Sequence, residues 1–322
     1  SKRDGKLRGF GFASYIECTA WGSGEDVSVS LGQDGGVTVR IGTQSNGQGH
    51  MTAYAQAVSQ ALDIPPETIT VVQGDTDEVR TGNGTGGSRS IPVGAVSAYR
   101  ASENLADKLK DLASEKLEAA ASDLVLGDGR IAVAGTDKSL SFAEIAALPQ
   151  ATPERLAAAS EFVPPDATYP NGTHVAEIEI DPATGTVALD RYTIVDDFGL
   201  TVNPLLLAGQ VHGGVAQGVG QALLERTVYD SAGQLLTASF MDYAMPRAGD
   251  LTSIAFSTRN VPSTTNPLGI KGAGEAGSIG SCPAVMNAVV DALHRAAGVT
   301  HIDMPATPER IWRALAGTST NS

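Results

Sequence analysis

Gly269-Ile270-Lys271-Gly272-Ala273-Gly274-Glu275-Ala276-Gly277-Ser278-Ile279-Gly280-Ser281 carries five glycines and one carboxylate in thirteen residues. Glycine this dense is poor helix and poor strand material, because each one loses much backbone freedom on folding. It is tolerated where the backbone takes unusual angles or comes very close to something bulky. Glu275 has no neighbouring side chain to hide it, so it is aimed at whatever the glycines make room for. That reads as a general base or acid beside a large ligand. The alternative is a solvated glutamate at the tip of a tight turn. The rest of the chain weighs between them.

Outward from this stretch, three more glycine-rich segments stand at 42–50, 82–90 and 209–221, each meeting a helix start or lying within a helix. Helix N-termini present free N–H groups, and glycine turns offer more of them to anions such as phosphates. Together the four point to a large polar ligand with phosphates or carbonyls. None matches GxxxxGK[ST], and none is a strand-following GxGxxG with a later acidic residue, which disfavours an ordinary nucleotide-binding fold. Gln44, Gln48, Gln210, Gln217 and Gln221 flank glycines, and an amide suits a heterocycle edge or an oxo group. Taken singly, each reads first as a surface or structural amide. Ser88 and Ser90 can bond a phosphate or cap the following helix. Arg89 can pair with a pyrophosphate or in a surface ion pair. Lys271 can tune Glu275 or be solvated.

Composition narrows the partners. The chain has 322 residues, 42% hydrophobic, with 37 glycines, only 18% charged residues and a net charge of −14. A globular protein of one large or two ordinary domains is expected, with much surface covered by partner chains. The acidic balance leaves no basic stripe for nucleic acid. No apolar run approaches the ~20 residues of a membrane span. The opening Ser1-Lys2-Arg3-Asp4-Gly5 carries no targeting pattern and no starting Met, so a cut or processed end and a cytoplasmic location are expected. Two cysteines, Cys18 and Cys282, cannot build an iron–sulfur cluster and make no CxxC; they read as buried small hydrophobes. The five histidines form no metal-ligand spacing, so any metal would be held by something other than this protein's side chains.

Along the chain, residues 7–21 read as strand with Gly9 and Gly11 as bends. Val27–Leu31 and Val37–Ile41 alternate across a glycine turn as a hairpin. Helices are expected at 50–62 and from about 90 to 117, with short ones at 142–148 and 153–159. A strand pair is expected over 124–133 and a hairpin from 174 to 195, with further strands in 226–258. Val163-Pro164-Pro165-Asp166 is the linker candidate, and Asn83-Gly84 and Asn171-Gly172 read as turns. After the central stretch, Ser281 is expected to cap and Pro283 to open a helix, and a last helix starts near Thr307.

Four motifs now stand in order: Gly47-Gln48-Gly49-His50, Gly84-Thr85-Gly86-Gly87-Ser88-Arg89, Gly209 to Gly218, and Lys271-Gly272-Ala273-Gly274-Glu275-Ala276-Gly277. In this order and spacing the chain resembles the C-terminal half of the molybdenum-binding subunit of the xanthine dehydrogenase / aldehyde oxidase / carbon monoxide dehydrogenase family, from about Arg8 to Trp312. The resemblance implies an α+β fold of mixed sheets and packed helices, with two α+β subdomains meeting at a cofactor cleft. With the linker above, these are 1–165, carrying the loops 42–50 and 82–90, and 166–322, carrying a helix over 204–225 and the catalytic loop 269–281. It implies molybdopterin, expected as the cytosine dinucleotide, with molybdenum held by the pterin dithiolene rather than by protein ligands. It carries Gly47, Gln48 and Gly49, then Gly86, Gly87, Ser88, Arg89 and Ser90, then Gln217, and then Lys271, Gly272 and Gly274 onto cofactor-binding positions. Glu275 matches the catalytic glutamate, a base toward a molybdenum-bound hydroxyl in a hydroxylation whose oxygen comes from water.

The same resemblance implies iron–sulfur and FAD partner subunits, a chain supplying the N-terminal half of the subunit, and a dimer of such heteromers. Alone, the chain is expected to be inactive. An N-heterocycle or aldehyde is expected as the small-molecule substrate ahead of carbon monoxide, which would need a cysteine loop not seen in this sequence. A binding subunit without catalysis and a purely structural subunit are the competing readings.

Overall fold

A computed structural model describes residues 5–317. The chain runs β1 (Leu7–Ile16), β2 (Glu25–Leu31), β3 (Val37–Ile41), α1 (His50–Leu62), β4 (Ile69–Val72), α2 (Val96–Leu117), β5 (Leu124–Gly127), β6 (Arg130–Val133), β7 (Ser139–Ser141), α3 (Phe142–Ala146) and β8 (Ala157–Phe162). It continues through β9 (Asn171–Ile180), β10 (Val187–Asp197), α4 (Pro204–Leu223), β11 (Ile254–Thr258), α5 (Ala276–Ala297) and α6 (Pro308–Leu315). The result is α+β: two mixed four-stranded sheets, β4-β3-β2-β8 and β1-β9-β10-β11, and a small meander β5-β6-β7.

Alternation in sequence becomes one-sided burial. Val27, Val29 and Leu31 of β2 and Val37, Val39 and Ile41 of β3 face a core shared with Leu105, Leu109 and Leu112 of α2. Ala176, Ile178 and Ile180 of β9 bury against Val285, Ala288, Val289 and Ala292 of α5 in a second core.

Two expectations about β1 are corrected. It does not belong with the first half of the chain: it pairs with β9 along its whole length, from Leu7↔Ile180 to Ile16↔Asn171, so the division at 165/166 fails for the N-terminal strand. Gly9 and Gly11 are not bends. A Cβ on Gly9 would lie 2.0 Å from the Ala288 carbonyl oxygen, and one on Gly11 2.2 Å from the Ala288 nitrogen, so both let α5 lie directly on the sheet. Asn171-Gly172 likewise opens β9 rather than making a turn.

Four further expectations are overturned. The alanine-rich 153–159 is a turn leading into β8, which pairs with β2, so a helix-favouring run is overridden by a strand edge that needs covering. In 226–258 only β11 forms a strand; an isolated bridge joins Tyr229 and Leu235, and Phe240 and Met241 stay exposed. Ser281 and Pro283 lie inside α5, which begins at Ala276. Cys18 is exposed and Cys282 half-buried, so neither is a core hydrophobe.

The glycine-dense α4 packs on α5 almost backbone to backbone. A Cβ on Gly277 would lie 2.4 Å from the Val211 carbonyl oxygen, and one on Gly218 1.9 Å from Ser281 Oγ. This close approach is what offsets the intrinsic cost of glycine in a helix, about 1 kcal/mol each. Gly277→Ala is therefore expected to destabilise by about 1–3 kcal/mol through overpacking. A denaturant midpoint lowered at unchanged slope would show it; an unchanged midpoint would mean that the two helices are not held at this distance.

Candidate functional site

A cavity of about 250 Å³ is lined by all four glycine segments. Gln48 and His50 come from the loop before α1, and residues 85–92 from the loop before α2. Residues 198–210 enter from β10 and the start of α4, and Lys271, Gly274 and Glu275 from the loop before α5. The first two and the last lie in loops that lead into a helix, whereas the segment 209–221 lies inside α4 and reaches the cavity through Gln210.

The first two loops are locked together from beneath. Tyr54 of α1, fully buried, shares a 2.5 Å hydrogen bond with Thr43 Oγ1 and donates to the Ser90 carbonyl at 3.0 Å. Thr85 Oγ1 donates to the Gln44 carbonyl at 2.7 Å. Arg89 is buried: Nη1 lies 2.9 Å from Glu25 Oε2, and Nη2 donates to the carbonyls of Ser23 and Gly24 at 2.9 and 2.8 Å. Arg89 thus makes neither a surface ion pair nor a free anion hook; it holds the second loop in place. Glu25 is capped by backbone, since a Cβ on Gly42 would lie 2.6 Å from Glu25 Oε1 and 2.4 Å from the Gly82 Cα.

The last loop sits on the second. A Cβ on Gly272 would meet the Ser88 carbonyl oxygen at 2.2 Å, and one on Gly274 would meet Ser88 Oγ at 3.2 Å. Ser88 itself takes a left-handed φ of 50°, unusual for a residue with a side chain. Its Oγ lies 3.1 Å from Glu275 Oε2. Glu275 immediately precedes α5 at its N-cap position and is exposed toward the cavity rather than at the tip of a turn.

Lys271 does not pair with Glu275. Its Nζ lies 2.5 Å from Asp197 Oδ2, with both side chains largely buried. Burial alone would raise the Asp197 carboxyl, but the Lys271 bond and the N–H groups of Val261 and Gly199 outweigh it and hold the group below the usual range.

Of the remaining expected residues, Gly86, Gly87, Ser88, Arg89 and Ser90 line the cavity. Gly49 caps α1 at φ 77°, and a Cβ there would strike Leu206 at 2.5 Å; Gly47 has φ 112°. Gly47, Gly49 and Gly272 shape the loops from behind. Gln48 lines the cavity while its Oε1 accepts from the Asn46 N–H. Gln217 is exposed on α4 and outside the cavity lining, where Gln210 of the same helix stands instead.

Two residues escaped the sequence reading. His50, buried at the cavity wall, has Nδ1 without a hydrogen-bond partner, and burial lowers its pKa against the backbone carbonyls of Thr43 and Gln44. Its place in the Gly-Gln-Gly-His motif was the available signal. Glu17, just past β1, lies 3.0 Å from Ser88 Oγ through its Oε1. A single glutamate at a strand end gave no signal at all.

Gly86 decides whether a bulky ligand fits. A Cβ there would meet nothing within 4 Å, and its φ is not left-handed. No atom of this chain therefore requires glycine at this cavity wall, whereas a ligand seated on bare backbone would. Among the described residues, no group of three or more His, Cys, Asp or Glu side chains is placed to hold a metal ion, and no helix is long and apolar enough to cross a membrane.

A family profile described as molybdopterin cofactor-binding domain matches residues 1–252. The carbon monoxide dehydrogenase large chain of Hydrogenophaga pseudoflava is 35% identical over 96% of this chain and 40% of its own length. The nicotine 6-hydroxylase large subunit of Paenarthrobacter nicotinovorans is 35% identical over 98% of this chain and 41% of its own. The crystal structure of quinoline 2-oxidoreductase from Pseudomonas putida 86 superposes with a TM-score of 0.87 at 35% identity, covering 98% of this chain and 42% of that one. The chain thus spans about two fifths of the length of these relatives.

Proposed function

This chain belongs to the molybdopterin cofactor-binding domain family, and from that premise we propose that it is the C-terminal, cofactor-binding part of the large subunit of a molybdenum hydroxylase. The observation that carries this is the meeting of four glycine segments on one cavity, with Glu275 on its wall and Gly86 bare beside it. In this reading the Gly86–Ser90 backbone and Gln48 hold the cofactor, in its cytosine dinucleotide form, and Gly272 and Gly274 fit the last loop against Ser88. When bound, the molybdopterin supplies a two-electron acceptor and an electrophilic metal held by its own dithiolene.

The chain's own part is proton chemistry and exclusion of water. Ser88 Oγ fixes one oxygen of Glu275, and with the cofactor bound the carboxylate would accept a proton as general base in a hydroxylation that takes its oxygen from water. The substrate class is an N-heterocycle or an aldehyde, in keeping with relatives named for nicotine and quinoline. The electrons leave through iron–sulfur and FAD subunits, because two cysteines cannot hold a cluster here. The missing length of the subunit completes the substrate pocket, so the chain alone is inactive. The working assembly is a cytoplasmic dimer of heteromers, and the exposed Phe240 and Met241 suit burial against a partner.

Elemental analysis of the intact complex, with nucleotide release from its pterin by acid, tests the cofactor assignment. One molybdenum and one cytidine monophosphate per copy of this chain are expected. A complex devoid of both would leave only a structural subunit.

A further inference from the structure

Building on that reading, we infer that Glu17 is a positioning residue for Glu275: the two carboxyl groups share one proton through the Ser88 hydroxyl, and the protonated Glu17 keeps Glu275 anionic and bridged.

The argument is one of counting protons. Ser88 Oγ lies 3.0 Å from Glu17 Oε1 and 3.1 Å from Glu275 Oε2. A hydroxyl has one proton to donate and otherwise only accepts. It can serve one carboxylate; the other must bring a proton of its own or set its lone pairs against those of Oγ. The arrangement is satisfied when one carboxyl donates to Oγ and Oγ donates to the other.

Burial chooses which carboxyl keeps the proton. Glu17 is half-buried, and its Oε2 is shielded from solvent without a hydrogen-bond partner. Glu275 opens onto the cavity. The acid with less water around it holds the proton. Burial pushes the Glu17 carboxyl up to about 7, and the nearby Glu275 carboxylate adds to it by its charge and by direct contact; only a Ser88 hydroxyl turned to donate to Glu17, the opposite of the bridge, pulls it down.

Ser88 is fixed for this task. Its left-handed φ and the close seats of Gly272 and Gly274 leave the hydroxyl little freedom. The surrounding charges do not compensate the pair. Arg89, beside Ser88, is bound to Glu25, and Lys271, on the last loop, to Asp197. On Glu17's own segment Cys18 is exposed. Tyr15 there stays protonated, raised by burial and by Asp196, with Glu17 and Asp197 adding to it.

The proton count closes. At rest the pair holds one proton, on Glu17. A proton that Glu275 took up as base in turnover would bring the pair to two. Loss of one to solvent restores the start. Above the Glu17 pKa both groups ionise, and the single hydroxyl proton no longer bridges them.

The test uses infrared pH-difference spectra of the intact complex and of Glu17→Gln, whose amide donates permanently to Oγ. The parent should lose a protonated-carboxyl band between pH 6 and 8, and the variant should show none. In turnover, the ratio of kcat at pH 8 to pH 6 should rise from about one tenth in the parent to near one in Glu17→Gln, a tenfold effect per pKa unit. A band and a pH profile unchanged by Glu17→Gln would overturn the inference. A complex without turnover would sink the hydroxylase reading instead, and the infrared band would still decide on Glu17.

Discussion

Glu275→Gln should lower kcat of the intact complex by about 10²–10⁴-fold, the range that a positioned general base contributes, while leaving its cofactor content unchanged. The substitution is nearly isosteric. The amide oxygen can still accept from Ser88 Oγ, so the loop that rests on Ser88 keeps its seat. What disappears is the ability to take up a proton. Because that ability is called on only in the transition state, the loss should fall on kcat and kcat/KM alike rather than on KM. Glu275→Asp separates the two properties. It keeps a carboxylate but withdraws it by one methylene from Ser88, and it should recover part of the activity. Single-turnover rates with cofactor content measured on the same samples provide the check. Full turnover in Glu275→Gln would remove the base role and leave a cofactor-holding subunit; a loss of cofactor in step with activity would make Glu275 a ligand-binding residue instead.

What the sequence made legible was what glycine writes locally. The four segments could be found because a backbone that must turn left-handed or lie against another chain cannot carry a side chain, and Gly49, Gly272 and Gly277 do just that. The helices at 50–62 and to Leu117 and the hairpin around Asp181 were legible from periodicity and turn chemistry. What stayed hidden depends on partners far along the chain. Glu17 matters only because Ser88 arrives 71 positions later and Glu275 later still. β1 reads as an ordinary first strand, yet its partner β9 begins at Asn171. The start of α5 was misplaced because Ser281 and Pro283 mimic a helix opening. Inside the helix, Pro283 forfeits one hydrogen bond, and the packing of Gly277 and Ser281 on α4 compensates. That correction has a functional edge, since it puts Glu275 at a helix start rather than in a free loop.

Arg89→Met should be the most destabilising single change at the site, by about 3–5 kcal/mol, the cost of stripping one partner from a buried ion pair. The Glu25 side chain is fully buried, and among the described residues it has, besides Arg89, the Asn83 N–H at 3.3 Å on Oε2 and no partner on Oε1. Methionine roughly fills the volume of the arginine stem, so the loss is electrostatic rather than a cavity. The Ser23 carbonyl loses its donor at the same time, and the Gly24 carbonyl one of two, keeping that of Asn83 Nδ2. Because those contacts bind the 82–90 loop to the strand that starts at Glu25, the effect should reach Ser88 and Ser90 and lower cofactor retention. Replacing both partners, Glu25→Gln with Arg89→Met, leaves no buried charge and should recover much of the stability without restoring the loop. A double-mutant cycle by denaturant unfolding reads the coupling directly. If Arg89→Met unfolds at the parent midpoint, the pair is not buried in solution, and the rigid floor beneath the cavity on which the placement of Ser88 depends is not there.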